Sequence, residues 1–149
     1  MKIITICSSA NFYKEVMALK QQLEELGYAV LVPATAQKMQ ASGDFDVASY
    51  KTWFGDANDY HKKAALMRGH FDEVAKADAV LIVNNEKHGV ANYIGGNVLM
   101  EMALAFYQNK PIYLLNDIPS ESAFEEEIIG LGSVPLGGDI QKLATSFPA

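Results

Sequence analysis

Short continuous apolar runs alternate along the chain with stretches whose apolar residues recur every three to four positions. Residues 1–7 are a β-branched run that breaks into Ser8-Ser9-Ala10-Asn11, the pattern of a buried strand ending in a loop. Phe12, Val16, Leu19, Leu23 and Leu26 then share one helical stripe, and Gly27 stands where a helix end favours a left-handed residue. Residues 28–32 predict a second strand, stopped by Pro33. A second helical pattern covers residues 61–77, with Leu66, Met67, His70, Phe71 and Val74 leading into Asp78-Ala79-Val80-Leu81-Ile82-Val83. That last run is apolar without alternation, as in a strand covered on both faces. A loop over 84–96, a helix from about 98 to 107 and a strand over 111–115 follow. The remainder reads as short helices over 124–129 and 140–143, separated by a Gly/Pro-rich turn.

Strands alternating with helices predict an α/β fold, a single-domain doubly wound (Rossmann/flavodoxin-like) parallel sheet with helices on both faces, spanning residues 1–149. Ligands of such sheets bind beyond the carboxyl ends of the strands at a topological switch point, which singles out the loops after Cys7, Val32, Val83 and Leu115. Residues 34–60 mix polar, small and aromatic side chains without a period. A long irregular stretch of this kind is compatible with some helix, and either covers a site or is an ordinary surface excursion with aromatic anchors.

Composition narrows the function. The 149 residues carry a net charge of −6 and half are hydrophobic, so the chain has the makings of a core and its field repels nucleic-acid polymers. The single cysteine, Cys7, excludes an intramolecular disulfide framework and fits a reducing compartment, with the cytoplasm as the expected location. No apolar run approaches the ~18–20 residues that span a bilayer, so no membrane partner is expected. Three scattered histidines without a His-x-x-x-His spacing argue against a metal site. The absence of a Walker loop and of the full dinucleotide glycine pattern argues against ordinary ATP or NAD sites, and no cofactor is expected.

The stretch from Tyr93 through Gly95, Gly96 and Asn97 to Glu101 holds the most chemistry. Two glycines let a ligand approach the backbone, and Asn97 is a favourable N-cap just ahead of the expected helix. Glu101 then falls in the first turn, where the helix dipole favours a carboxylate, a placement common enough to need no catalytic reason. It is, however, the only charged residue of a strongly apolar helix, and burial there opposes the dipole. In the first loop Ser8, Ser9 and Asn11 offer hydroxyl and amide groups to an anion or a sugar, or merely cap the next helix. His70 lies eight residues before Asp78; a histidine on an apolar face is usually structural, but imidazole can protonate a leaving group near neutral pH.

Three segments together give the chain a family likeness. Ile6-Cys7-Ser8-Ser9, Ala77-Asp78 followed by its apolar strand, and Asn97-Val98-Leu99-Met100-Glu101-Met102-Ala103-Leu104-Ala105 are similar to the corresponding motifs of the nucleoside 2-deoxyribosyltransferase superfamily, which includes deoxynucleoside monophosphate N-glycosidases. The chain resembles that superfamily over most of its length and departs from it at defined places. His70 stands where members usually carry an aspartate, Ser8 replaces the first-loop glycine, Asn97 and Leu99 replace flanking glycines, and Gly95 stands where a serine or aspartate contacts substrate. Asn84-x-x-Lys87-x-Gly89 followed by Tyr93 to Asn97 resembles a divergent branch.

The resemblance implies that Glu101 attacks the anomeric carbon of a nucleoside or nucleoside monophosphate, with His70 assisting the departing base. The sugar would lie over Gly95, Gly96 and Asn97 and the polar end toward Ser8 and Ser9, with Asn11, Asn84 and Tyr93 completing the binding set. It also implies a homo-oligomer. Two rival readings are a non-catalytic nucleotide- or metabolite-binding module on the same fold, favoured by the changes at His70 and Gly95, and a subunit interaction domain.

Overall fold

A computed structural model describes residues 1–149. Its strands are β1 (Ile3–Ser8), β2 (Ala29–Leu31), β3 (Ala79–Val83), β4 (Ile112–Leu114) and β5 (Val134–Pro135). Its α-helices are α1 (Tyr13–Glu25), α2 (Ala34–Ser42), α3 (Tyr60–Lys76), α4 (Gly96–Tyr107), α5 (Glu125–Gly130) and α6 (Gln141–Ser146). All strand pairs are parallel, in the order β2-β1-β3-β4-β5. The doubly wound α/β architecture is therefore the one that the alternation of runs and stripes predicts.

The period-two geometry of β3 shows why its sequence is apolar throughout. Ala79, Leu81 and Val83 pack with Val16 and Leu23 of α1, Met39 of α2 and Leu143 of α6. Val80 and Ile82 pack on the other face with Val74 of α3, Val98 and Met102 of α4 and Ile128 of α5. Each fully buried Leu or Ile here contributes roughly 1.5–3 kcal/mol of apolar burial. Asp78 locks the start of this strand to β1, its side chain accepting from the Ile3 amide at 2.7 Å while its own amide donates to the Ile3 carbonyl.

Gly27 adopts φ +96° directly after α1, and the Gly27 and Tyr28 amides close the helix on the Glu24 and Leu23 carbonyls, as the helix-end pattern predicts. Two expectations need correction. The Gly/Pro-rich turn contains β5, a two-residue edge strand too short to leave a periodic signal; an edge tolerates Pro135 because its missing N–H has no outer neighbour to serve. The helix expected from about 98 begins at Gly96, with Gly95 as the capping residue in extended conformation.

The switch point falls between β1 and β3, since β1 pairs with β2 on one side and β3 on the other. Beyond the carboxyl ends of these two strands the α1 entry, α3, α4 and residues 43–59 leave an opening.

Candidate functional site

That opening encloses about 150 Å³. Ser8 and Ser9 line it from the end of β1, Met39 from α2, His70 from α3, Tyr93 and Gly95 from the loop after β3, and Glu101 from α4. The buried positions of α4 are Val98, Glu101, Met102 and Ala105, spaced by three and four. Glu101 thus occupies a core position of its helix, 5% exposed, yet its carboxylate reaches the cavity because the packing ends at the strand tips.

Since α4 starts at Gly96, Asn97 is its second residue rather than its cap, and Glu101 lies beyond the first turn, which holds no acidic residue. The carboxylate is therefore held mainly by side chains and not by the helix dipole, whose effect fades within the first turn. His70 supplies the direct partner, with Nδ1 at 3.1 Å from Glu101 Oε1. With Glu101 as a carboxylate, which can only accept, the proton of this hydrogen bond belongs to Nδ1. The other ring nitrogen, Nε2, is buried without a partner.

The neighbours respond to the buried charge. Burial, and then the Glu101 carboxylate, push the Cys7 thiol well above its usual range, so Cys7 remains a thiol and offers no rival nucleophile. Burial and the same carboxylate push the Tyr13 phenol up, so its hydroxyl stays a potential donor on the cavity wall. Glu73 lies one turn beyond His70 on α3. Burial pushes its carboxyl up to about 7, with His70 opposing and Glu101 adding to the shift.

Glu73 makes stability depend on pH in a definite direction. Between pH 4.5 and about 7 the folded state keeps a proton that the unfolded chain releases, so this carboxyl costs stability progressively as pH rises through that window. Glu73→Gln is expected to be more stable than wild type at pH 8 by about 1 kcal/mol, a half-buried group being screened by solvent. At pH 4 the two should match. Urea unfolding at both pH values checks this, and an equal difference at both would remove the carboxyl from the pH dependence.

The other expected site residues divide into two groups. Ser8, Ser9, Tyr93, Gly95, Gly96 and Asn97 all line the cavity. Gly95 leaves room for its neighbour, since a Cβ there would come within 3.0 Å of the Tyr93 hydroxyl. Gly96 has open space where a Cβ would stand, so a ligand can approach the backbone. Asn11 and Asn84, by contrast, lie off the cavity wall. Asn11 is exposed and accepts a hydrogen bond from Ser9 Oγ at 3.3 Å. Asn84 is fully buried and spends its amide inside the protein, donating to the Asp117 carbonyl and accepting from the Asn116 amide, both at 2.9 Å. It clamps the turn after β4 to the end of β3.

Several cavity residues escape a reading by motif. Val47, Tyr50, Lys51 and Trp53 bring the aperiodic region over the opening, so residues 34–60 do form part of its wall. Their only sequence signal is the cluster of aromatics, anchored by Trp53, which is 5% exposed. Lys63 of α3 and Lys87 of the loop after β3 complete the rim.

No group of three or more His, Cys, Asp or Glu side chains converges in a way that could hold a metal ion. No helix is long and apolar enough to cross a membrane. Compared with protein-family models and with curated proteins, the chain matches none.

Proposed function

We propose that the chain breaks or transfers the N-glycosidic bond of a (deoxy)nucleoside or nucleoside monophosphate, as a divergent branch of the nucleoside 2-deoxyribosyltransferase superfamily. The observation that carries this reading is the Glu101 carboxylate, buried in an apolar helix, held by His70 and exposed only to a cavity at the sheet's switch point. A carboxylate oriented in this way suits nucleophilic attack at an anomeric carbon.

In the proposed reaction the free oxygen of Glu101 bonds to C1′ as the C1′–N bond breaks, and the bonding pair leaves on the base nitrogen. His70 takes part as the imidazolium, protonated on both ring nitrogens; ester formation removes the charge that holds its Nδ1 proton, which passes to the departing base and leaves a neutral imidazole protonated on Nε2. Water, or the nitrogen of a second base, then attacks C1′ and displaces Glu101, returning its own proton to His70. The sugar lies over Gly95 and Gly96, where the backbone is open, with Tyr13 and Tyr93 offering hydroxyl groups to it. General acid assistance of this kind is worth about 10²–10⁴ in rate, so His70→Ala should lose that much.

The test incubates purified protein with a panel of nucleosides and nucleotides and follows free base, or base exchange, by chromatography. Base release that falls in His70→Ala supports the reading; ligands that raise Tm yet stay chemically intact for hours support binding alone. Binding alone draws on the same hydrogen bond, which ties the two functional groups to each other. Self-association is proposed as well, supported by exposed Met100, Phe106 and Tyr107 on the helix that carries Glu101.

A further inference from the structure

We propose, building on the glycosidic reading, that Lys51, Lys63 and Lys87 form an anion subsite at the cavity rim, so that the preferred substrate carries a phosphoryl group. The three lysines come from separate segments: the turns after α2, the first part of α3 and the loop after β3. All three line the same cavity and are half-buried. None belongs to an ion pair, while the ion pairs that do form involve Lys20, Lys62 and His70. Positive charges gathered without an ion-pair partner are costly unless something anionic joins them.

Aromatic faces hold these ammonium groups in place without neutralising them. Lys87 Nζ lies 4.7 Å from the Tyr93 ring centroid and donates to Ser9 Oγ at 3.0 Å. Lys63 Nζ lies 5.7 Å from the Trp53 ring. Such contacts fix position and leave the full positive charge facing the opening. Burial lowers the proton affinity of all three, and the charge of Lys51 lowers that of Lys63 and Lys87 further, the signature of cations that converge. Lys63 also senses Glu101, which places the rim within electrostatic reach of the reacting carboxylate. A phosphate ester carries about −1.5 to −2 at pH 7 and presents three acceptor oxygens, matching donors that arrive from several directions. An uncharged nucleoside would leave them unpaired.

The probes are inorganic phosphate and inorganic pyrophosphate, titrated calorimetrically into the full chain with sodium chloride at matched ionic strength as control. Saturable binding of either anion is expected; tighter phosphate binding indicates a phosphomonoester, tighter pyrophosphate binding a diphosphate. Lys51→Gln, Lys63→Gln and Lys87→Gln should each weaken it roughly tenfold, whereas Lys→Arg at the same positions retains it. Lys14→Gln, on the exposed outer side of α1, should leave it unchanged. Absence of saturable binding, or equal binding by wild type and all three Gln variants, overturns the subsite. Because this measurement needs no turnover, anion binding without base release from any nucleotide would sink the glycosidic chemistry and leave the subsite standing. Nucleosides cleaved as fast as nucleotides would do the reverse.

Discussion

Replacing Glu101 by Ala or by Gln should reduce base release from any accepted nucleoside or nucleotide by on the order of 10³-fold or more, because attack at C1′ then falls to water alone. The Gln variant is the sharper of the two. It keeps the shape of the side chain and an oxygen that can accept from His70 Nδ1, so the packing around Val98 and Met102 should survive and Tm should change little. A folded, substrate-binding and inactive Glu101→Gln protein separates loss of the nucleophile from loss of structure. Release rates for the three proteins at saturating substrate, with Tm measured alongside, make the comparison. Equal rates in wild type and Glu101→Ala would take the carboxylate out of the reaction.

The second large effect concerns stability. Asn84→Ala leaves the Asn116 amide and the Asp117 carbonyl without their partners at the buried end of β3. At roughly 1–3 kcal/mol for each unsatisfied group, with the exposed Asp117 at the low end because its carbonyl can turn to solvent, the expected loss is about 2–4 kcal/mol. For a chain of this size that corresponds to a Tm lower by roughly 5–15 °C. The rate per folded molecule at saturating substrate should stay within a few-fold of wild type, since the amide does not face the cavity. Scanning calorimetry and kinetics on the same preparation check both parts. An unchanged Tm with a collapsed rate would return Asn84 to the substrate-binding set.

These two residues show how far a sequence carries and where it stops. Glu101 stands out as the sole charge in an apolar helix, and that local anomaly corresponds to a real structural one: a carboxylate at a buried position. Asn84 lies in the loop after the strongest strand, where ligands of such folds bind, but only tertiary structure reveals that its amide is already spent on Asn116 and Asp117. The double-sided burial of β3 and the left-handed turn at Gly27 are legible because strand and helix-end chemistry are local. The two-residue β5, with a proline in it, has no local signature at all.

Asn97 misleads for a related reason. Its side chain favours the cap position, but the backbone at Gly95 is already extended and the helix starts one residue before Asn97. Lys51, Lys63 and Lys87 look in sequence like ordinary solvated lysines; only the fold turns them toward one cavity. The aperiodic stretch over 34–60 resists reading because its turns are held by Trp53 and by Asp46 and Asp56, whose side chains accept from backbone amides two residues ahead.

Mass spectrometry of the quenched protein addresses the nucleophile itself. Incubation with a nucleoside or nucleotide whose sugar bears fluorine at C2′, which slows both steps by destabilising the positively charged transition state, should leave one sugar residue bound to the chain. Peptide mapping should place it on Glu101, and the Glu101→Gln protein should carry none. Complete turnover of an accepted substrate with no sugar ever attached to Glu101, or a sugar attached at another residue, would contradict a covalent role for this carboxylate.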